Sequence, residues 1–102
     1  MTRGEIWLAQ VGRAQRPVLV LTRTEVLDVR GLVTVVEITT SIRGLAAEVG
    51  LDHAEVGLDR PSVVNCDGLH TVPQASLTTH VGGLSDEAMR SVCSAVAYAL
   101  GC

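Results

Sequence analysis

Apolar residues in this chain fall in short runs broken by glycine, proline and polar turns, with no long continuous stretch. The densest run lies in Arg16-Pro17-Val18-Leu19-Val20-Leu21-Thr22-Arg23, where four consecutive branched apolar residues mark a strand buried on both faces. Pro17 has no N–H to give a ladder and is expected at the first residue of that strand. Gly4-Glu5-Ile6-Trp7-Leu8-Ala9 reads as the strand before it, with Gln10 to Gln15 as a polar loop between them. Glu25 to Arg30 suits a short helical turn ended by Gly31. Leu32 to Ile38 is a strongly β-branched third strand, followed at once by the hydroxyl cluster Thr39-Thr40-Ser41. Ala47 to Leu51 reads as a weaker strand and His53 to Pro61 as a loop. Ser62 to Asn65 and Leu69 to Pro73 read as two short strands either side of an Asp67-Gly68 turn. Gln74 to Leu77 turns into a last strand, Thr78 to Gly82. Ser85 caps a final helix with Asp86 and Glu87 at its positive end, and Gly101 stops it. Met89, Val92, Cys93, Val96 and Leu100 keep helical spacing on one face. Five to seven strands and one amphipathic helix predict a mainly β (α+β) fold: a small, partly open antiparallel barrel with the helix packed on it.

Composition narrows this picture. The 102 residues suit one domain, residues 1–102, with a single core. There is no Phe, one Trp and one Tyr, so Val, Leu, Ile and Ala must fill that core. No run reaches the length of a membrane span, and the N-terminus lacks a signal peptide's apolar region, so the expected location is the cytoplasm. Three cysteines without CxxC spacing support neither a disulfide framework nor a structural zinc site. Cys93 reads as helix core. Cys66 is a candidate reactive thiol with no activating neighbour in sequence.

The net charge of −3 argues against a generic basic nucleic-acid binder. Its distribution is uneven: the chain carries +2 through Arg43 and −5 from Gly44 onward. All eight basic residues are arginine, which favours planar, bidentate anion recognition, although a GC-rich genome produces the same bias.

Arg16 is the first candidate for chemistry. A guanidinium beside a rigid proline at a strand end suits an anion such as phosphate, although taken alone it fits a solvated edge charge better. Thr39, ending the third strand, offers a hydroxyl, either to a ligand or to a loop N–H. His70 is poised for acid–base work near neutrality. His53 and His80 read as surface residues. Cys66, His70 and His80 lack diagnostic metal-ligand spacing.

The order of Arg3-Gly4-Glu5-Ile6-Trp7, Arg16-Pro17-Val18-Leu19-Val20, Ile38-Thr39, Ser62-Val63-Val64-Asn65, Leu69-His70-Thr71-Val72 and Gly83-Leu84-Ser85 resembles the MazF/PemK (Kid) family of toxin endoribonucleases. The match in order and spacing runs over essentially the whole chain. The resemblance implies an SH3-like barrel of CcdB/MazF/Kid type that forms a homodimer. It further implies cleavage of single-stranded mRNA without metal or other cofactor, leaving a 2′,3′-cyclic phosphate and a 5′-hydroxyl, and neutralisation by a cognate antitoxin protein. The family's catalytic arginine falls on Arg16 and its catalytic threonine on Thr39, with Thr40 and Ser41 adjacent. With Arg13, Arg23 and Arg43, these two hydroxyls make up the expected RNA-binding set.

This chain departs from the family in a shorter first loop, in Gly68-Leu69-His70 where Gln-x-Arg is common, and in its acidic balance. Two other readings stand beside this one: a toxin of the same barrel that binds DNA gyrase without catalysis, and an inactive SH3-like interaction module. Neither needs Arg16-Pro17 paired with Thr39.

Overall fold

The computed structural model describes residues 1–102. Six strands precede one helix: β1 (Glu5–Val11), β2 (Ala14–Val20), β3 (Leu32–Thr39), β4 (Glu48–Gly50), β5 (Val63–Pro73), β6 (Leu77–Gly83) and α1 (Asp86–Leu100). They form one sheet in the order β4-β5-β3-β2-β1-β6, and every neighbouring pair is antiparallel.

The loop that follows β4, on one edge of the sheet, meets β6, on the other, backbone to backbone. Gly57 has φ +90°, and a Cβ there would stand 2.6 Å from the Val81 carbonyl oxygen. A Cβ on Gly82 would meet the Val56 carbonyl, 2.8 Å from its carbon. Only glycine tolerates such an approach, and the sheet curls shut there into a small barrel.

Alternation along the strands builds two cores. Ile6, Leu19, Val36, Ile38, Val64 and Cys66 lie on one face and pack under Met89, Val92 and Ala95 of α1. Ala9, Val18, Val20, Val33, Val35 and Leu77 lie on the other, closed by Leu27. Strand β3 serves both faces: Val33 and Val35 point one way, Val36 and Ile38 the other. The same alternation carries Glu37 and Thr39 onto the second face, beyond the reach of the helix.

Several expectations need correction. Gln10 and Gln15 are not loop. They pair with each other in a hairpin that continues to Val11↔Ala14, leaving only Gly12 and Arg13 at the turn. Gly12 has φ +61°, which permits so tight a turn, and the polar sequence reflects an exposed ribbon. Pro17 stands fourth in β2, not first. Pairing with β3 begins only at Val18, so Pro17 lies where β2 has an open edge and a missing N–H costs least. The two strands expected around Asp67-Gly68 are one strand, β5, and the turn signal marks a bulge. Val36 pairs with Leu69 but Glu37 with Asn65, leaving Cys66, Asp67 and Gly68 as the extra residues.

The helix cap is formed as expected: Ser85 accepts from the Ala88 N–H at 3.1 Å, and Gly101 ends the helix with φ +76°. Its buried face is Met89, Val92 and Ala95, whereas Cys93 and Leu100 are exposed. The Cys93 sulfur meets Arg3 Nη2 at 2.9 Å, so this cysteine is not core.

Candidate active site

The second face of the sheet is not covered along its whole length. Where its apolar cluster ends, a cleft of about 700 Å³ opens, and Arg16, Glu37, Thr39, Thr40 and His70 all line it. The register explains this convergence. Val18 of β2 lies opposite Glu37 of β3. Pairing with β3 stops at Val18, and Arg16, two residues earlier on the same face of β2, lines the same cleft as Thr39, two residues beyond Glu37. Val35, two residues back along β3, lies opposite His70 of β5. Side chains two apart share a face, so the cation, the hydroxyl, the carboxylate and the imidazole all stand on one side.

Each group is set differently. Arg16 is exposed and has no ion pair or hydrogen bond within the chain, which leaves its five donors available. Thr39 Oγ1 accepts the Ser41 N–H at 3.0 Å. That is the loop-capping role open to a strand-end threonine, and it fixes the oxygen while leaving the hydroxyl proton free to donate. His70 Nε2 lies 3.0 Å from Glu37 Oε2. The carboxylate occupies space that only glycine leaves in the β5 bulge: a Cβ on Gly68 would stand 2.8 Å from the Glu37 carboxyl carbon.

A second hollow of about 260 Å³ adjoins the first and shares Glu37 and Thr39 with it. Ser41 and Arg43 line this hollow. The loop carrying them is held by Glu48, whose carboxylate accepts the N–H groups of Arg43, Gly44 and Leu45 at 2.9–3.3 Å. Arg13 stands at the β1–β2 turn and Arg23 before the short 3-10 segment Thr24–Val26; neither lines either hollow.

The sequence reading passed over Glu37, Gly68, Asp59 and Arg60. The last two enter the cleft from the loop before β5 and face each other at 3.6 Å. Glu37 had a signal: it is the lone charge in Leu32–Thr39 and shares parity with Thr39. The closeness of Gly68 to it had none, because it depends on the bulge register.

The remaining candidates lie apart. Cys66 is fully buried under α1, and burial pushes its thiol up to about 11, with Asp67 adding to the rise; it is core, not a reactive thiol. His80 is exposed at the β1–β6 edge, stacked on Trp7 with ring centroids 5.3 Å apart and 3.3 Å from Glu5 Oε2. Burial pushes the Glu5 carboxyl up, but the Thr2 N–H, Trp7 Nε1–H, His80 and the N-terminal ammonium outweigh it and leave the group below its usual value.

The family model of PemK-like, MazF-like toxins of type II toxin–antitoxin systems matches residues 2–100. The probable endoribonuclease MazF2 of Mycobacterium tuberculosis is 38% identical over 102 residues, covering 100% of each chain. The solved Mycobacterium tuberculosis toxin MazF-mt6 superposes with a TM-score of 0.89 at 40% identity, over 95% of this chain and 96% of that one. A mycobacterial endoribonuclease solved with its cognate antitoxin gives a TM-score of 0.88 at 23% identity, over 99% and 95% of the two chains, a likeness of fold.

Proposed function

Because the chain belongs to the PemK-like, MazF-like toxins of type II toxin–antitoxin systems, we propose that it is an endoribonuclease, a single toxin domain over residues 1–102, that cuts single-stranded mRNA in the Arg16–Thr39 cleft. The observation that supports this reading is one cleft lined by both the Arg16 side chain and the strand-end hydroxyl of Thr39.

In the proposed reaction the ribose 2′-OH attacks its own phosphorus, so the nucleophile arrives with the substrate and the enzyme need only align it and hold the developing charge. The Arg16 fork meets the phosphoryl oxygens in two parallel hydrogen bonds. Thr39, its oxygen already oriented by Ser41, donates its proton to the same phosphate or steers the 2′-OH. His70 exchanges the proton. The products are a 2′,3′-cyclic phosphate and a 5′-hydroxyl, and no metal is required for this division of labour. Thr40, Ser41 and Arg43 continue the path of the strand into the second hollow. With one Trp and one Tyr in the chain, the grip on RNA rests on arginine and hydroxyl contacts more than on stacking.

The toxin works as a homodimer in the cytoplasm, where transcripts are, and its antitoxin covers the cleft with an acidic segment that folds on binding. No helix is long and apolar enough to cross a membrane.

Incubation of the purified protein with a long transcript in EDTA tests the reading. Defined 5′-hydroxyl fragments are expected, with the rate falling about a hundredfold in Arg16→Ala. Intact RNA, or an unchanged rate in that variant, overturns it. Intact RNA with inhibited gyrase supercoiling points instead to a non-catalytic toxin.

A further inference from the structure

We propose that Glu37 is a positioning residue: seated in the gap at Gly68, it fixes His70 in the tautomer that presents Nδ1 to the RNA as general base. The proposal rests on the reading of the cleft as an RNA-cleaving site. Three observations carry it.

The first is the 3.0 Å contact between His70 Nε2 and Glu37 Oε2. An ionised carboxylate can only accept, so the ring proton lies on Nε2, and in the neutral ring Nδ1 then keeps its lone pair. No group of the chain hydrogen-bonds Nδ1. The second is the seat of the carboxylate. The β5 bulge brings the Gly68 backbone against Glu37 so closely that any side chain there would displace the acid. The third is location: His70 and Glu37 line the same cleft as Arg16 and Thr39, whereas the other histidine–carboxylate contact, His80 with Glu5, lies at the β1–β6 edge outside it.

The step balances as follows. Nδ1 takes the 2′-OH proton while the O2′–P bond forms and the P–O5′ bond breaks. The departing O5′ takes a proton from solvent water, and the imidazolium returns its proton to solvent. Glu37 touches neither substrate nor reacting atom; it acts through the ring.

Other charged groups line the same cleft as His70: Arg16 from β2, and Asp59 and Arg60 from the loop before β5. Asp67, on the bulge of β5, lines only the adjoining hollow. Of the charged groups in the cleft, Glu37 alone contacts the imidazole.

The test joins imidazole nitrogen NMR to single-turnover cleavage in Glu37→Ala and Gly68→Ala, with His70→Ala assigning the signal among the three histidines. An oligonucleotide carrying 2′-deoxyribose at a mapped cut site measures RNA affinity without cleavage. The wild type is expected to show the Nε2–H form of His70 and both variants a mixture. The plateau rate should fall about tenfold or more with RNA affinity unchanged. Gly68→Ala keeps the charge while moving it, so it separates placement from charge. An unaltered tautomer and rate in both variants overturns the proposal while leaving wild-type cleavage standing. Full activity in Arg16→Ala overturns the cleavage reading and leaves the tautomer result untouched.

Discussion

Gly82→Ala strikes the contact that shuts the barrel. The added Cβ would lie 2.8 Å from the Val56 carbonyl carbon, nearer still to its oxygen, and 3.5 Å from the Gly57 nitrogen. Ordinary contact begins near 3.4 Å, so the two backbone segments must part by more than about half an ångström. No rotamer relieves this, because every atom involved is main chain. Gly57 cannot yield easily either, since its own approach to Val81 is already close and its φ is +90°. Overpacking usually costs about 1–3 kcal/mol, and a backbone-on-backbone clash belongs at the upper end, about 3 kcal/mol. For a domain of this size that lowers Tm by about 12–20 °C. Urea unfolding followed by Trp7 fluorescence and circular dichroism, at fixed protein concentration, reads the change in midpoint. Gly50→Ala is the control: nothing lies within 4 Å of its Cβ position and its φ is not positive, so stability should stay within about 0.5 kcal/mol. A Gly82→Ala protein as stable as that control would refute the closure described here.

Further predictions concern the thiols, the acid limb of stability and the site hydroxyl. Iodoacetamide should label Cys93 and Cys102 in the native protein and Cys66 only after unfolding, as counted by mass spectrometry; labelling of native Cys66 contradicts its burial. The folded pKa of Cys66 is raised to about 11, so its contribution is complete below the unfolded value of about 8.5 and is lost as pH climbs from there towards 11. Cys66→Ala should flatten that alkaline decline in denaturant titrations. Glu5 is depressed, so its contribution is present above the unfolded carboxylate pKa and disappears as pH falls through the folded one; Glu5→Gln should flatten the acid decline. Thr39→Val should slow cleavage at least about tenfold while Thr39→Ser retains most of the rate, and equal rates in the two would remove the hydroxyl from the mechanism.

Period-two patterning made most of the architecture readable in the sequence. Val18 to Val20 and Val33, Val35, Val36 and Ile38 of β3 are buried as their composition demands, and Ser85 and Gly101 bound the helix as their chemistry predicts. The errors have separate causes. Gln10 and Gln15 looked like loop because polarity was taken for irregularity, although an exposed ribbon can be polar and still paired. Asp67-Gly68 looked like a turn because a bulge and a turn draw on the same residues, and only the partner strand decides between them. Cys93 looked buried because the helix's apolar face is centred one residue away, on Met89, Val92 and Ala95. Within the site, Arg16, Thr39 and His70 were legible as residue types at strand positions. The Glu37 seat at Gly68 was not, since it exists only once β3 and β5 are in register.

The two-sided character of β3 separates heredity of shape from heredity of specificity. Val36 and Ile38 answer to the helix-covered core, whereas Glu37 and Thr39 answer to whatever enters the cleft. A substitution at either odd-numbered site near the strand's end alters the chemistry of the cleft and spares the even-numbered neighbours that hold the chain together. A lineage built on this barrel can therefore lose or change its chemistry at those positions on a scaffold that stays put. The opposite change is not open to it: a single-residue slip would drive a carboxylate beneath the helix and expose two core residues in its place.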